Sequence, residues 1–402
     1  MRLVSIINEE DSMKVKKLKM DGIGGIKNSL EIHFTDGFNV ICGANGIGKS
    51  TILNTIGDAF CGQALVKKNA LCDMGHYYLS IETEKRLEVV EQRVSDFEPE
   101  KRNYSISRPD VKDIMFFKAG RSIPYRQMNS ISRDPGRVQN DNNRIVASGV
   151  DEKEIKNWFA NRYCFIDKEN ALTVNQKKNF LLAKEAFGIL DKNVSFNKVL
   201  PSTLDIIVNT NKGDIYFEYL SSGYQSCIYI ILGMIKEIEY RNKDEYIEVK
   251  DFAGCVLVDE IDEHLHPSWQ VSLVSALRQV FPHAQFIVTT HSPNILQNLG
   301  KDEIIPLLED DYGNVAVKEL NLGPYGLQGW TLEEILEDVM GLKSTTSVLY
   351  ENTITEFDEA LYEEDYEKVK KCYQMLNEML HPDNVRRKLL QIQLVGIGEK
   401  HD

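Results

Sequence analysis

Apolar residues come in short runs at the start of the chain. Residues 15–20, 30–34 and 38–42 alternate or run apolar over a strand's length and are broken by glycines and an Asp-Gly pair, which predicts three β-strands. Residues 43–51 interrupt the pattern with glycines, and 52–60 place apolar positions at helical spacing. Residues 77–83 and 87–94 predict further strands, and 113–117 form a short apolar run. Residues 118–150, rich in Arg, Asn, Ser and Gly with two prolines, predict a loop or lid, whereas 151–192 read as helical. Strands at 204–208 and 214–220 flank an Asn-Lys-Gly turn, and a long apolar-rich helix follows at 223–241. Residues 255–258 and 285–289 read as buried strands; Pro267 opens a helix to 280 and Pro293 opens another, proline being favoured in a first turn. From 331 onward the pattern is helical and acidic. Buried strands alternating with helices predict an α/β fold.

Length and composition narrow the class. A chain of 402 residues, 42% hydrophobic and 27% charged, buries a sizeable core as two domains or as one large α/β domain with an appendage. We expect the first domain over 1–330, with a lid or insertion at about 118–200, and a helical region over 331–402. No apolar run reaches the roughly 18 residues of a membrane span, and the charged N-terminus excludes an ordinary secretory signal. Seven cysteines with no CxxC pair read as free thiols of a reducing cytosol, so a cytoplasmic location is expected. The net charge of −14 opposes a surface that attracts nucleic acid everywhere, but not a local basic groove. Residues 101–144 hold ten Lys/Arg against four acids, and 331–367 hold twelve acids against one Lys. Either run reads equally well as a solvated face.

Four segments carry chemistry. Gly43, Asn45, Gly46, Gly48, Lys49, Ser50 and Thr51 lie in a complete GxNGxGKST loop between a predicted strand and helix. Glycines there let successive N–H groups curl around phosphate oxygens, the helix start adds positive potential, Lys49 reaches the β/γ-phosphates and Ser50 holds Mg²⁺. Residues 255–258 form an apolar strand ending in Asp259 and Glu260: the first is delivered to the Mg²⁺ side of the phosphates, and the second can take a proton from an attacking water. The strand at 285–289 ends near His291, placed to meet a γ-phosphate, although a lone histidine is more often structural. Ser221, Ser222 and Gly223 precede the long helix; hydroxyls and amides there form an anion site, and equally a plain helix cap.

In this order the four pieces resemble the ABC-type ATPase heads of the SMC, RecF and OLD group. Gly43–Thr51 matches their Walker A loop, 220–226 their LSxG signature, Asp259-Glu260 their Walker B and His291 their switch histidine. Residues 259–270 and 281–293 look like the AAA-type ATPases of bacterial anti-phage defence operons, the Septu and retron-linked groups among them. This resemblance implies a head-to-tail dimer in which each ATP lies between one subunit's Walker A loop and the other's signature loop. It is strong over about 12–60 and 215–300 and weaker elsewhere. A glutamine-type loop is not evident; Lys118 to Arg121 hold its expected place. Residues 151–190, folded as two antiparallel helices, reach only about 30 Å, which excludes long coiled-coil arms. His264 and His266 lie among acids, but the resemblance puts them at a dimer-facing loop, against a metal role. Trp158, Trp269 and Trp330 read as packing residues.

The expected activity is Mg²⁺-dependent hydrolysis of ATP, with ATP and Mg²⁺ as cofactors. Lys49 and His291 would stabilise the γ-phosphate, Ser50 and Asp259 would hold the metal, Glu260 would polarise water, and Ser221, Ser222 and Gly223 would complete a neighbour's site. Residues 331–402 carry no nuclease signature and read as a packed helical or oligomerising region. The resemblance implies a sensor or regulator subunit that partners itself and a separately encoded effector such as a nuclease. The alternative is a RecF-like DNA-maintenance ATPase that binds DNA directly through the basic 101–144 stretch. No membrane partner is expected.

Overall fold

The structure, a computed structural model, describes residues 12–83, 86–98 and 108–401. In chain order the strands are β1 (Met13–Asp21), β2 (Leu30–His33), β3 (Phe38–Gly43), β4 (Gly75–Thr83), β5 (Arg86–Val94), β6 (Ile114–Phe117), β7 (Ser195–Val199), β8 (Ile206–Thr210), β9 (Gly213–Tyr216), β10 (Cys255–Val258), β11 (Gln285–Thr289), β12 (Ile304–Glu309) and β13 (Val315–Val317). The helices are α1 (Lys49–Cys61), α2 (Gln139–Ser148), α3 (Lys153–Phe165), α4 (Val174–Leu190), α5 (Ser222–Arg241), α6 (Pro267–Val280), α7 (Pro293–Leu296), α8 (Leu332–Glu334), α9 (Val348–Tyr362), α10 (Tyr366–Met379) and α11 (Val385–His401). Two compact units result, Met1–Gly341 and Leu342–Asp402.

The first unit is built on a six-stranded mixed sheet in the order β13-β12-β3-β11-β10-β6. All neighbours in it are parallel except β12 and β13. Four of its strands, β3, β6, β10 and β11, are buried on both faces, as parallel strands are, so their sequences run largely apolar. Successive side chains nonetheless part to opposite sides. Val40, Cys42, Val256, Val258, Phe286 and Val288 enter one core with α5, whereas Ile41, Cys255, Leu257 and Ile287 enter a second with α1. A four-stranded antiparallel sheet, β2-β1-β4-β5, covers that second core. Buried Gln285 locks the two sheets together: its side-chain oxygen accepts from Val15 N at 2.8 Å and its nitrogen donates to Val15 O at 2.8 Å. A small antiparallel sheet, β7-β8-β9, completes the unit.

The insertion does not stand out from the head. Trp158, Phe159, Phe180 and Phe187 of α3 and α4 are fully buried in the α5 core. Glu239 of α5, also buried, accepts from Trp158 Nε1 at 2.8 Å, Arg162 Nε at 2.9 Å and Asn179 Nδ2 at 3.2 Å. Trp158 is thus a core residue, and Trp269 packs edge-on against Tyr224 with ring centroids 5.4 Å apart.

Three local expectations change. Residues 118–150 are not loop throughout, because α2 forms at 139–148; its Asn-rich sequence is a poor helix former, and burial of Ile145 and Val146 overrides that. The strand expected at 214–220 stops at Tyr216; Phe217–Tyr219 form one tight helical turn, and the carbonyls of Glu218 and Leu220 receive Gln225 Nε2 at 2.8 Å each. The apolar pattern does not announce β12 and β13, where Pro306 lies inside the run.

Residues beyond Thr331 join the first unit as far as Gly341, with Ile335, Val339 and Met340 in its core. The second unit has a core of its own, in which Phe357, Ala360, Val369, Cys372, Leu376 and Leu390 meet across α9, α10 and α11. The architecture is the expected α/β head with a mixed sheet, a short helical insertion and a helical C-terminal region. Among the described residues no helix is long and apolar enough to cross a membrane. The seven thiols are all free, and burial raises those of Cys42 and Cys255 to about 12.

Candidate active site

The loop after β3 turns on three glycines with positive φ, at 141° for Gly43, 80° for Gly46 and 105° for Gly48. At Gly43 a Cβ would stand 2.6 Å from the carbonyl oxygen of Leu307, so the neighbouring strand itself demands glycine. Helix α1 then starts at Lys49 with no acidic residue and no side-chain cap in its first turn. Its free N–H groups and dipole therefore favour an anion. Asn45, Gly46, Gly48, Lys49, Ser50 and Thr51 line a cavity of about 530 Å³ together with Glu260 and His291. Lys49 is buried, its Nζ donating to Gly43 O at 2.8 Å and Ala44 O at 2.9 Å, 3.4 Å from His291 Nδ1. Burial lowers its pKa, while Cys42 and the acids Asp262, Glu260 and Asp259 oppose the shift.

The two acids after β10 are held in different ways. Asp259 Oδ1 accepts from Ser50 Oγ at 3.0 Å and from Thr289 Oγ1 at 2.7 Å. A hydroxyl and a carboxylate oxygen that converge so closely form a hard-oxygen donor set, and these two residues fit Mg²⁺. Glu260 has φ 48°, the left-handed region, which costs a non-glycine residue about 1–3 kcal/mol. Surrounding groups impose it: Thr289 Oγ1 receives Glu260 N at 2.7 Å, and the Glu260 carbonyl receives Arg121 NH2 at 2.6 Å and Glu263 N at 2.8 Å. The same conformation brings the Glu260 side chain to the cavity.

His291 is positioned by Asp262, whose Oδ1 accepts from His291 N at 3.2 Å and from Thr290 Oγ1 at 2.6 Å. Burial and then the Lys49 charge lower the imidazole's pKa, which favours its neutral form. The phosphate loop, Glu260 and His291 thus share one cavity, with Asp259 bonded to Ser50 behind its wall. Ser221, Ser222 and Gly223 do not line it. Ser221 caps α5, its Oγ accepting from Tyr224 N at 3.4 Å, and both serines are exposed. Gly223 packs so closely on His264 that a Cβ would be 2.7 Å from that residue's carbonyl oxygen. His264 is itself exposed, and His266 caps α6 through Ser268. Among the described residues no group of three metal-binding side chains forms.

Two contributors, Thr289 and Asp262, escape the sequence pattern, whereas Arg121 ends the 118–121 stretch expected in place of a glutamine-type loop, with no role assigned to it there. All three act through the fold, and of the first two only Thr289, the polar end of an apolar strand, carries a local hint.

The basic stretch at 101–144 does not form an open cationic groove among the described residues; Lys101 and Arg102 lie outside them. Arg108 pairs with Glu88 at 2.7 Å and with Asp110 at 2.8 Å, and Arg126 with Glu152 at 3.3 Å. Arg137 is buried between Glu237, at 2.7 Å, and Glu154. Arg144 meets Asp141 at 3.4 Å, Arg121 is buried, and Lys118 Nζ donates to Asn54 at 2.6 Å.

The chain is similar to several known proteins. The family described as "AAA domain, putative AbiEii toxin, Type IV TA system" matches residues 77–297. The chain is 44% identical to the Septu protein PtuA of Bacillus thuringiensis over 396 residues, covering 96% of this chain and 98% of that protein. It is 28% identical to the Retron Ec83 probable ATPase of Escherichia coli, covering 58% of this chain and 43% of that protein. Among solved structures, an SMC head bound to the C-winged helix domain of ScpA is similar at a TM-score of 0.47 and 19% identity, covering 77% of this chain and 98% of that one.

Proposed function

The chain belongs to the AAA_21 family, among the defence-associated ATPases that include Septu PtuA, and on that premise we propose that it hydrolyses ATP in a site shared between two copies. The observation that supports this most directly is the division of the machinery. One cavity gathers the phosphate loop, Glu260 and His291, with Asp259 bonded to Ser50 at its edge, while Ser221–Gly223 lie outside it and both serines are exposed. A second copy is the natural source of that missing side.

In this reading the loop amides and Lys49 bind the β- and γ-phosphates, and Lys49 exchanges its bonds to the Gly43 and Ala44 carbonyls for phosphate oxygens. Ser50 and Asp259 would hold Mg²⁺, whose charge offsets that developing on the phosphate oxygens. Glu260 accepts the proton of the attacking water. His291, its neutral form favoured by burial, donates an N–H to a γ-phosphate oxygen without adding a second fixed charge beside Lys49. The products are ADP and phosphate.

The biological role we infer is the ATPase subunit of a defence complex that governs a separately encoded effector. The rival reading, direct DNA binding through residues 101–144, loses support, because four of those ten cations, Arg108, Arg126, Arg137 and Arg144, are engaged by acids of the same chain. The test mixes two inactive variants, Lys49→Ala and Ser221→Arg. A heterodimer has one composite site free of both lesions, so mixing should restore part of the ATPase activity. Full activity from either variant alone, in a monomer, would sink the shared-site reading.

A further inference from the structure

Arg121 lies just past β6, and its guanidinium joins parts of the site that come from distant stretches of chain. Its side chain is 2% exposed. Nε donates to Ser226 Oγ at 3.1 Å, in the first turns of α5. One terminal nitrogen donates to the carbonyls of Lys118 at 3.1 Å and Asp259 at 2.6 Å; the other donates to the carbonyl of Glu260 at 2.6 Å. The Glu263 carboxylate stands 3.9 Å away and accepts from Gly120 N at 2.6 Å. A second link runs beside the first: Ile123 N donates to Gln225 Oε1 at 3.2 Å, and Gln225 holds the carbonyls that lead into Ser221.

The start of α5 is therefore clamped, through residues 118–123, to the backbone that aims Glu260. We propose that Arg121 is a positioning residue that carries contact at Ser221–Gly223 to the Glu260 carboxylate, so that hydrolysis waits for a phosphate held by a second copy. This rests on the shared-site ATPase reading above. The physical basis is the planar fork of the guanidinium, which cannot shift at Ser226 without altering its bonds to both carbonyls. Helix α5 moves as a rigid rod over its first turns, so a displacement at its serine cap reaches Ser226. Glu260 responds because its left-handed backbone is held there by surrounding groups, and loss of one of them lets it relax.

The test uses Ser226→Ala, which removes one buried hydroxyl and little else. We expect kcat for ATP to fall about 10-fold, with KM within about 2-fold and ATP-driven dimerisation retained. Arg121→Lys keeps the charge but not the fork, and should lose at least as much. Combining the two should cost no more than Arg121→Lys alone, because both act through one bond. A loss of kcat matched by an equal loss of ATP affinity marks a merely structural role and overturns the inference. An active wild type with unchanged kcat in Ser226→Ala defeats this inference alone; a wild type without ATPase activity defeats the functional reading and this inference with it.

Discussion

Thr289→Val tests whether one hydroxyl organises both acids. Thr289 is fully buried, and its Oγ1 serves two residues at 2.7 Å each, donating to Asp259 Oδ1 and accepting from Glu260 N. Valine has nearly the same shape but satisfies neither. A hydrogen bond to a charged group contributes about 1.5–3 kcal/mol, and a buried N–H left without a partner costs about 1–3 kcal/mol. Allowing for relaxation, we expect a stability loss of about 2–4 kcal/mol, seen as a melting temperature lowered by several degrees. The effect on rate should be larger than stability alone explains. Glu260 would leave its left-handed backbone conformation, and misplacement of a catalytic group by about 1 Å costs on the order of 100-fold. Steady-state ATP hydrolysis at saturating Mg²⁺ gives kcat, and equilibrium nucleotide binding checks that the phosphate loop is intact. Thr289→Ser, which restores the hydroxyl, should recover most of the rate. Wild-type kcat in Thr289→Val would refute the argument, because neither acid would then depend on this oxygen.

Glu260→Gln should bind ATP normally yet hydrolyse it roughly 10²–10⁴-fold more slowly, the range for loss of a general base; undiminished turnover removes Glu260 from that role. His291 makes stability pH-dependent in a defined direction. Its folded pKa lies below the ordinary 6.5, so the unfolded chain takes up the proton more readily and stability is lost as the pH falls below that value. His291→Asn should flatten that part of a melting-temperature profile. Arg137→Glu should destabilise the head by about 3–5 kcal/mol, the cost of breaking a buried pair, because it sets a third acid against Glu237 and Glu154. The same reversal at exposed Arg133 should leave the melting temperature almost unchanged.

The difference between Arg137 and Arg133 shows where sequence reading stops. Both stand in one basic stretch, and nothing local says that Glu237, a hundred positions later, will close over one of them. The phosphate loop was legible because its function is a property of consecutive backbone groups, and Gly43 through Thr51 spell it out. Asp259-Glu260 was legible because an apolar strand must end where its cargo of acids is displayed. Thr289 was not, and Arg121 was marked only by its place after an apolar strand, since their roles exist only once β6, β10, β11 and α5 lie side by side. The same limit hid α2, where burial overrides weak local propensity, and β12 and β13, which become strands by pairing on the edge of a sheet already formed.

The position of β3 has a consequence for synthesis. Phe38–Gly43 emerges from the ribosome long before its partners in the sheet, Gln285–Thr289 and Ile304–Glu309. At about 5–20 residues per second, the nascent chain waits on the order of ten seconds or longer before either can arrive. Until then the phosphate loop has no frame, and an apolar segment as long as β3 must be sheltered from other nascent chains. Translation that aborts before β11 should yield polypeptides unable to bind nucleotide and prone to aggregate. The cell therefore obtains a working head only from chains translated past β12, which couples its supply to the fidelity of elongation rather than to early folding.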